Sequence, residues 1–256
     1  MPETDTAPAE TPNRPLLSVV VPVLNEEQNV APLIAEIQAA LDEACAFEVV
    51  YVNDGSTDGT AKALAQARAT TPTLRVVQHV ERLGQSAALH TGIVAARGRL
   101  IATLDGDRQN DPADIPTLLD AWRAADRRGK LSVMITGHRV NRRDSWAKHQ
   151  ASRVANWLRR TTLGDDNPDT GCSLKLFERA LFLRMPYFDD MHRFLPALAL
   201  REGAVVEVVP VNHRPRPTGA SKYRILDRLL VGIPDLLGVM WLMRRRPKGQ
   251  DAREIE

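Results

Sequence analysis

The stretch Leu17-Ser-Val-Val-Val-Pro-Val-Leu-Asn-Glu26 decides the architecture. Its first seven residues form a nearly continuous apolar run, the pattern of a strand covered on both faces, as in a parallel sheet. From Asn25 the period changes. Asn25-Glu-Glu-Gln28 fits a helix N-terminus with Asn25 as cap and Gln28 reaching back, and Val30, Leu33, Ile34, Ile37 and Leu41 follow at helical spacing. A buried strand running straight into an amphipathic helix opens an α/β fold.

Reading outward, the alternation repeats. Strands are predicted at Phe47 to Val52, Leu74 to Val80 and Leu100 to Leu104, with helices from near Asp58 and over Ser86 to Ala96. Asp111-Pro112 reads as N-cap and first helical residue, followed by the stripe Ile115, Leu118, Leu119 and Trp122, and Ser132 to Thr136 adds a strand. The expectation is an open, mixed but mostly parallel Rossmann-like sheet flanked by helices. Residues 1–15 read as a disordered, acidic, Pro/Thr-rich tail, 16–223 as the catalytic domain, and 224–256 as an amphipathic, basic helix and tail.

The chain has 256 residues, 43% hydrophobic and 26% charged, which suits one large α/β domain. Cys45 and Cys172 match no metal or redox spacing, so a reducing compartment is expected. The net charge of +2 hides an asymmetry: Arg139 to Arg160 carries seven Lys/Arg against one Asp, and Arg214 to Lys248 nine against two. Such clusters call for an anionic partner, whether phosphate, membrane or nucleic acid. No nucleic-acid-binding signature accompanies them, and aromatic residues make up only 5%, so a nucleic-acid partner is not expected.

In open α/β sheets, ligands bind beyond the carboxyl ends of the strands, where strand order reverses. Three polar turns follow the predicted strands: Asn25-Glu26, Asn53-Asp54-Gly55-Ser56, and Asp105-Gly106-Asp107-Arg-Gln109. In the last, two carboxylates two residues apart at a strand end can converge on one hard divalent ion, Mg²⁺ or Mn²⁺, with Gln109 adding a neutral oxygen. Its plainer reading is a polar turn capping the next helix. In the second, Gly55 permits a tight turn, Ser56 or Asp58 can cap a helix, and Asp54 is left to accept from a base or ribose.

Together and in this order, these segments resemble the family 2 glycosyltransferases with the GT-A fold, over Leu16 to about Arg246. Val21-Pro22-Val-Leu-Asn25-Glu26 is similar to the opening motif, Asn53-Asp54-Gly55-Ser56-x-Asp58 to the nucleoside-binding turn, and Asp105-Gly-Asp107-x-Gln109-Asn-Asp-Pro112 to the metal motif. Asn53 stands where the family's common turn has a first Asp. Within the family the chain looks most like the polyprenyl-phosphate sugar transferases, the group of dolichol-phosphate mannose synthase. Arg216-x-x-Gly219-x-Ser221-Lys222-Tyr223 resembles the loop that closes over both phosphates in that group, and Gly137-His138-Arg139 resembles its arginine-bearing strand end. The same resemblance places Lys148 and Ser152 at the lipid phosphate, where lysine gives up the bidentate grip of the usual arginine. Asp169-Thr-Gly-Cys-Ser173-Leu-Lys175 and Met191-His192-Arg193-Phe194 resemble acceptor-side stretches.

The resemblance implies an inverting enzyme moving one sugar from a nucleotide-diphosphate donor (GDP-mannose or a UDP-hexose) to a polyprenyl phosphate. Pro22, Asn25, Glu26, Asp54, Gly55, Ser56, Asp105 and Gly106 would bind the donor nucleotide. Asp105, Asp107 and Gln109 would hold the metal. Arg139, Lys148, Ser152 and Ser221 would bind the acceptor phosphate, with Asp107, Arg139, Arg216 and Lys222 central to catalysis. A phosphate acceptor is already ionised at neutral pH, so no protein base is demanded. A nucleotidylyltransferase would need a glycine-rich loop after the first strand, and a processive synthase Gln-x-x-Arg-Trp with several spanning helices. Neither pattern appears in the sequence.

Ile225 to Met243 is apolar yet holds Asp227, Arg228, Pro234 and Asp235, a poor membrane span. Leu226, Leu229, Leu230, Ile233, Leu237, Met240 and Trp241 instead make a helical stripe before Arg244-Arg-Arg-Pro-Lys248. That pattern fits a helix lying on an anionic membrane surface, at the cytoplasmic face, or one packed on the domain or on a second copy. A separate membrane partner is the further alternative.

Overall fold

The computed structural model describes residues 14–129, 132–140, 162–215 and 225–245. Its strands are β1 (Leu17–Val23), β2 (Phe47–Asp54), β3 (Leu74–His79), β4 (Leu100–Thr103), β5 (Val133–Arg139), β6 (Lys175–Glu178) and β7 (Val205–Val211). Both faces of β1 are apolar, so it is buried mid-sheet. Leu17, Val19, Val21 and Val23 enter one core, while Val20 joins Val50 in the other. The helices are α1 (Glu27–Leu41), α2 (Thr60–Thr70), α3 (Gln85–Ala95), α4 (Ile115–Arg127), α5 (Arg179–Arg184), α6 (Leu195–Arg201) and α7 (Ile225–Arg244). α1, α2 and α4 cover the first face, and α3, α5, α6 and α7 the second.

The sheet order is β3-β2-β1-β4-β6-β5-β7. The chain steps outward from β1 to β3 and then returns to β4 on the other flank of β1, so strand order reverses between β1 and β4. The pairs β1–β2, β2–β3, β1–β4 and β5–β7 are parallel, and β6 runs antiparallel to both its neighbours. The carboxyl ends of β1, β2, β4, β5 and β7 therefore share one edge with the start of β6. This is the expected open, mostly parallel α/β sheet.

The stripe Ile115, Leu118, Leu119 and Trp122 is buried as expected. Asp111 caps by accepting from the Ala113 N–H at 3.0 Å, though the first turn, Pro112–Asp114, is 3-10 and only then becomes α4. α3 lies unusually close to the sheet: a Cβ on Gly92 would sit 2.5 Å from Val20 Cγ1 and 2.9 Å from Val52 Cγ2. That seat places the α3 N-terminus at the sheet's carboxyl edge.

Four features differ from the sequence reading. Asn25 is not the helix cap: it has φ 56°, and Glu26 occupies the cap position without a side-chain capping bond. β6 was not expected, because four residues carry too little periodicity to read. β7 was not expected either; it is an edge strand with Pro210 near its end, where the missing N–H is tolerated. The α7 stripe is divided, since Leu236, Val239, Met240 and Met243 pack on the second core while Leu237 and Trp241 stay exposed.

Candidate active site

The first two turns are sewn together. The Asn25 N–H donates to Ser56 Oγ at 2.9 Å, and Asn25 Oδ1 accepts from the Thr57 N–H at 2.8 Å. The Glu26 N–H donates to Thr60 Oγ1 at 2.9 Å, and its carboxylate accepts from Asn29 Nδ2 at 2.7 Å. The Ser56 N–H donates to Asn53 Oδ1 at 3.1 Å, and Asn53 Nδ2 is buried without a hydrogen-bond partner. Gly55 is required twice over: φ is +68°, and a Cβ would lie 2.6 Å from the Arg82 backbone nitrogen. A Cβ on Gly106 would lie 2.3 Å from Val23 Cγ1 and 3.3 Å from the Pro22 carbonyl, so the third turn packs against the end of β1.

Asp54 corrects the sequence reading. Its carboxylate is not left for a ligand: it meets His79 Nδ1 at 2.8 Å and accepts from the N–H groups of Leu83 at 2.8 Å and Gly84 at 2.9 Å. His79 Nε2 meets Thr91 Oγ1 at 3.0 Å, so the ring is held at both nitrogens. Asp54 thus shapes the loop that rises over Gly55. His79, Leu83 and Gly84 supply the hydrogen-bond partners that a carboxylate 4% exposed requires.

At the end of β4, Asp105 and Asp107 are close enough to repel. Burial first, and the charge of Asp107 second, push the Asp105 carboxyl above the ordinary range, while Ser173, Lys175 and Arg139 pull it down. Ser173 Oγ and Gln85 Nε2 (2.9 Å) hold its two oxygens. Asp107 Oδ1 accepts from the Gln109 N–H at 3.0 Å, and Arg108, at φ 62°, turns its guanidinium away to Glu36. Two crowded carboxylates with a neutral amide alongside suit a hard divalent cation, which relieves their repulsion and prefers oxygen ligands.

Across the β4–β6 seam lies the cationic side. Arg139, ending β5, donates to Asp169 through Nε at 2.8 Å and Nη2 at 2.7 Å, and its backbone N–H donates to the same carboxylate at 3.1 Å. Burial works against this guanidinium, yet Asp169 raises its pKa further above normal. Arg139 thus stands at the carboxyl edge of the sheet, with most of its fork occupied by Asp169. Ser86, at the start of α3, meets His192 Nδ1 at 2.8 Å, which brings Met191–Arg193 to the same edge.

The exit of β7 is strapped to the acidic turn. The Arg214 N–H donates to the Gln109 carbonyl at 2.9 Å, its guanidinium reaches Glu36 at 2.7 Å and Asp111 at 2.5 Å, and the Asn212 N–H donates to Asp114 at 2.7 Å. Pro22, Asn25, Glu26, Asp54, Gly55, Ser56, Asp105, Gly106, Asp107, Gln109 and Arg139 therefore all stand on one edge. Lys148, Ser152, Arg216, Ser221 and Lys222 lie outside the described residues. Asp169, Ser173 and Lys175 reach the same edge in the stretch that the resemblance marked as acceptor-side, without individual roles, and Gln85 joins them though the sequence offered no signal for it.

An edge at the strand-order reversal that carries an acidic pair and facing cations is the arrangement of a GT-A sugar-nucleotide transferase. The chain belongs to glycosyl transferase family 2, whose model matches residues 18–187, and it is a glycosyltransferase. It is 38% identical to the dodecaprenyl-phosphate galacturonate synthase of Rhizobium johnstonii, covering 96% of this chain and 74% of that one. It is 35% identical to the undecaprenyl-phosphate 4-deoxy-4-formamido-L-arabinose transferase of Edwardsiella ictaluri, over 82% of this chain and 63% of that one. Among solved structures, the fold resembles glucosyl-3-phosphoglycerate synthase from Mycobacterium tuberculosis in complex with Mg²⁺ and UDP (TM-score 0.65, 20% identity, covering 91% of this chain and 81% of that one). A mannosyltransferase from Pyrobaculum calidifontis in complex with GDP-mannose and Mn²⁺ is also similar (TM-score 0.61, 21% identity, covering 96% and 68%).

Proposed function

We propose that this chain transfers one sugar from a nucleotide-diphosphate donor to the phosphate of a polyprenyl phosphate, inverting the anomeric carbon. The observation that carries the reading is the placing of Asp105, crowded by Asp107, against the charges of Arg139 and Lys175 across the β4–β6 seam. Donor and acceptor are both anionic, and such a seam can receive one through a cation and the other through basic side chains. The names of the relatives, one a dodecaprenyl-phosphate and the other an undecaprenyl-phosphate transferase, support the acceptor class. Their sugars differ, so the sugar is left to experiment.

Asp105, Asp107 and Gln109 would hold Mg²⁺ or Mn²⁺, which when bound supplies Lewis-acid neutralisation of the departing diphosphate. The chain's own residues do the positioning. The sewn turns at Asn25, Ser56 and Gly55 shape the nucleoside seat, and Arg139 sets a positive charge where the acceptor phosphate approaches. An acceptor oxygen bonds to the anomeric carbon as the bond from that carbon to the nucleotide diphosphate breaks. The strap at Asn212 to Arg214 directs the following segment, with Arg216, Ser221 and Lys222, from beside the acidic turn. Residues 16–223 would make up the catalytic unit, with Lys148 and Ser152 assigned to the lipid phosphate by resemblance.

No described helix is long and apolar enough to cross a membrane. Leu237 and Trp241, each 55% exposed, with Arg245 stacked 5.0 Å from the Trp241 ring, would dock α7 on anionic lipid at the cytoplasmic face. The reading is tested with labelled UDP- and GDP-sugars, Mn²⁺ or Mg²⁺ and undecaprenyl phosphate. Label is expected in the organic phase; transfer only to water or glycan overturns it.

A further inference from the structure

Lys175 is the least expected charge in the molecule. It begins β6 opposite Thr103 of β4, is 3% exposed, and takes a position an apolar side chain could fill. Lysine is almost never buried this deeply without charged partners. Its Nζ donates to the carbonyls of Cys172 and, at 3.4 Å, of Thr170, and its charge faces Asp105, Asp169 and the Cys172 thiol, with Arg139 as the opposing cation. Burial lowers its pKa, and those acidic neighbours counter that.

Both carbonyls belong to one tight turn, closed by the Cys172 N–H donating to the Asp169 carbonyl at 3.2 Å. One end of the turn supplies Asp169, which clamps Arg139, and the other supplies Ser173, whose hydroxyl holds Asp105. Thr103 Oγ1 donates to the Ser173 carbonyl, tying that end to β4. Gly171 lets the turn pass Arg139, since a Cβ there would lie 3.1 Å from Nη2. Thr170 and Cys172 thus sit between the acceptor-side arginine and the donor-side carboxylate, and their carbonyls are drawn inward onto one ammonium.

We propose that Lys175 is a positioning residue for the transfer reaction: its buried ammonium gathers the 169–173 turn so that Asp169 presents Arg139 to the acceptor phosphate. The nucleoside seat stands on the separate turns at Asn25, Ser56 and Gly55, and Asp105 keeps Gln85 as a holder outside the 169–173 turn, so loss of Lys175 falls more on the acceptor than on nucleotide binding. The inference rests on the proposed transfer to a polyprenyl phosphate, and wild-type turnover in the same assay tests that reading on its own.

The experiment compares Lys175→Met, Lys175→Gln, Asp169→Asn and the Lys175→Met/Asp169→Asn double variant in the full chain. It uses short-chain polyprenyl phosphate with the sugar nucleotide the wild type turns over, and calorimetric binding of UDP or GDP with Mn²⁺. Lys175→Met is expected to raise the acceptor KM about tenfold while donor-nucleotide Kd moves less than about threefold, with Lys175→Gln, which keeps one donor for the carbonyls, in between. The double variant is expected to be no worse than the worse single one, since both act through one turn. Should Lys175→Met fail to fold, Lys175→Gln carries the same comparison. Equal rises in acceptor KM and donor Kd, no rise in acceptor KM, or additive losses in the double variant would overturn the proposal. An inactive wild type would sink the transfer reading instead.

Discussion

The two sides of the cleft are built by different means. On the donor side, short polar side chains bond to nearby backbone: Asn25 to Thr57, Ser56 to Asn25 and Asn53 to Ser56, with Gly55 allowing the turn. On the side assigned to the acceptor the same task falls to full charges, Arg139 with Asp169 and Lys175 with the carbonyls of its own turn. Neutral bonds between side chain and backbone hold a shape that scarcely depends on what is bound. A charged cluster responds to every ion brought near it, which suits the side where an anionic lipid must arrive and depart.

The sharpest way to break the comparison is at the acidic pair between the two sides. Asp107→Ala is expected to lower kcat by at least about a hundredfold, as for loss of a principal electrostatic stabiliser, while circular dichroism stays native. Retained activity would remove the metal reading. Next come the glycines. Gly55→Ala meets backbone at positive φ and should cost about 2 to 3 kcal/mol in denaturant unfolding. Gly171→Ala meets only the tip of the Arg139 side chain and should cost under about 1 kcal/mol while raising the acceptor KM.

At the opposite end of the sheet, Glu48 is a control that touches neither side. Burial opposes its ionisation, but hydrogen bonds from Ser18, the Arg97 N–H and Arg75 outweigh that and hold its carboxyl below the usual range. A depressed folded-state pKa contributes stability that is present above the unfolded pKa and lost as pH falls through the folded one. Glu48→Gln should therefore cost about 2 kcal/mol at neutral pH, with the gap to wild type closing below about pH 4 and both KM values unchanged. The smallest effect is expected at α7: Leu237→Ala with Trp241→Ala should change stability by under about 0.5 kcal/mol yet weaken sedimentation with anionic vesicles.

The donor half was legible because its signals are local. An apolar run ending in a polar turn marks a strand and its ligand-facing end, and Asn25, Gly55, Asp105 and Asp107 fell at such ends. What could not be read was how a side chain would be spent. Asp54 looked available from its place in the turn, but its burial beside His79 is set by β3, twenty-five positions on. Asn25 looked like a cap because its type suits one, and its use in bonding a second turn depends on tertiary approach. Lys175 and Asp169 were visible as letters, but their pairing needs β6 to enter the sheet antiparallel, which four residues cannot announce.

Glu36 sits on α1, on the outer layer of the fold, and grips both Arg108 of the acidic turn and Arg214 at the exit of β7. That makes it a mooring post shared by two parts of the cleft that never touch it through substrate. Loosening that post would shift the acidic turn and the exit of β7 together, so a helix remote from the chemistry keeps two parts of the cleft in register.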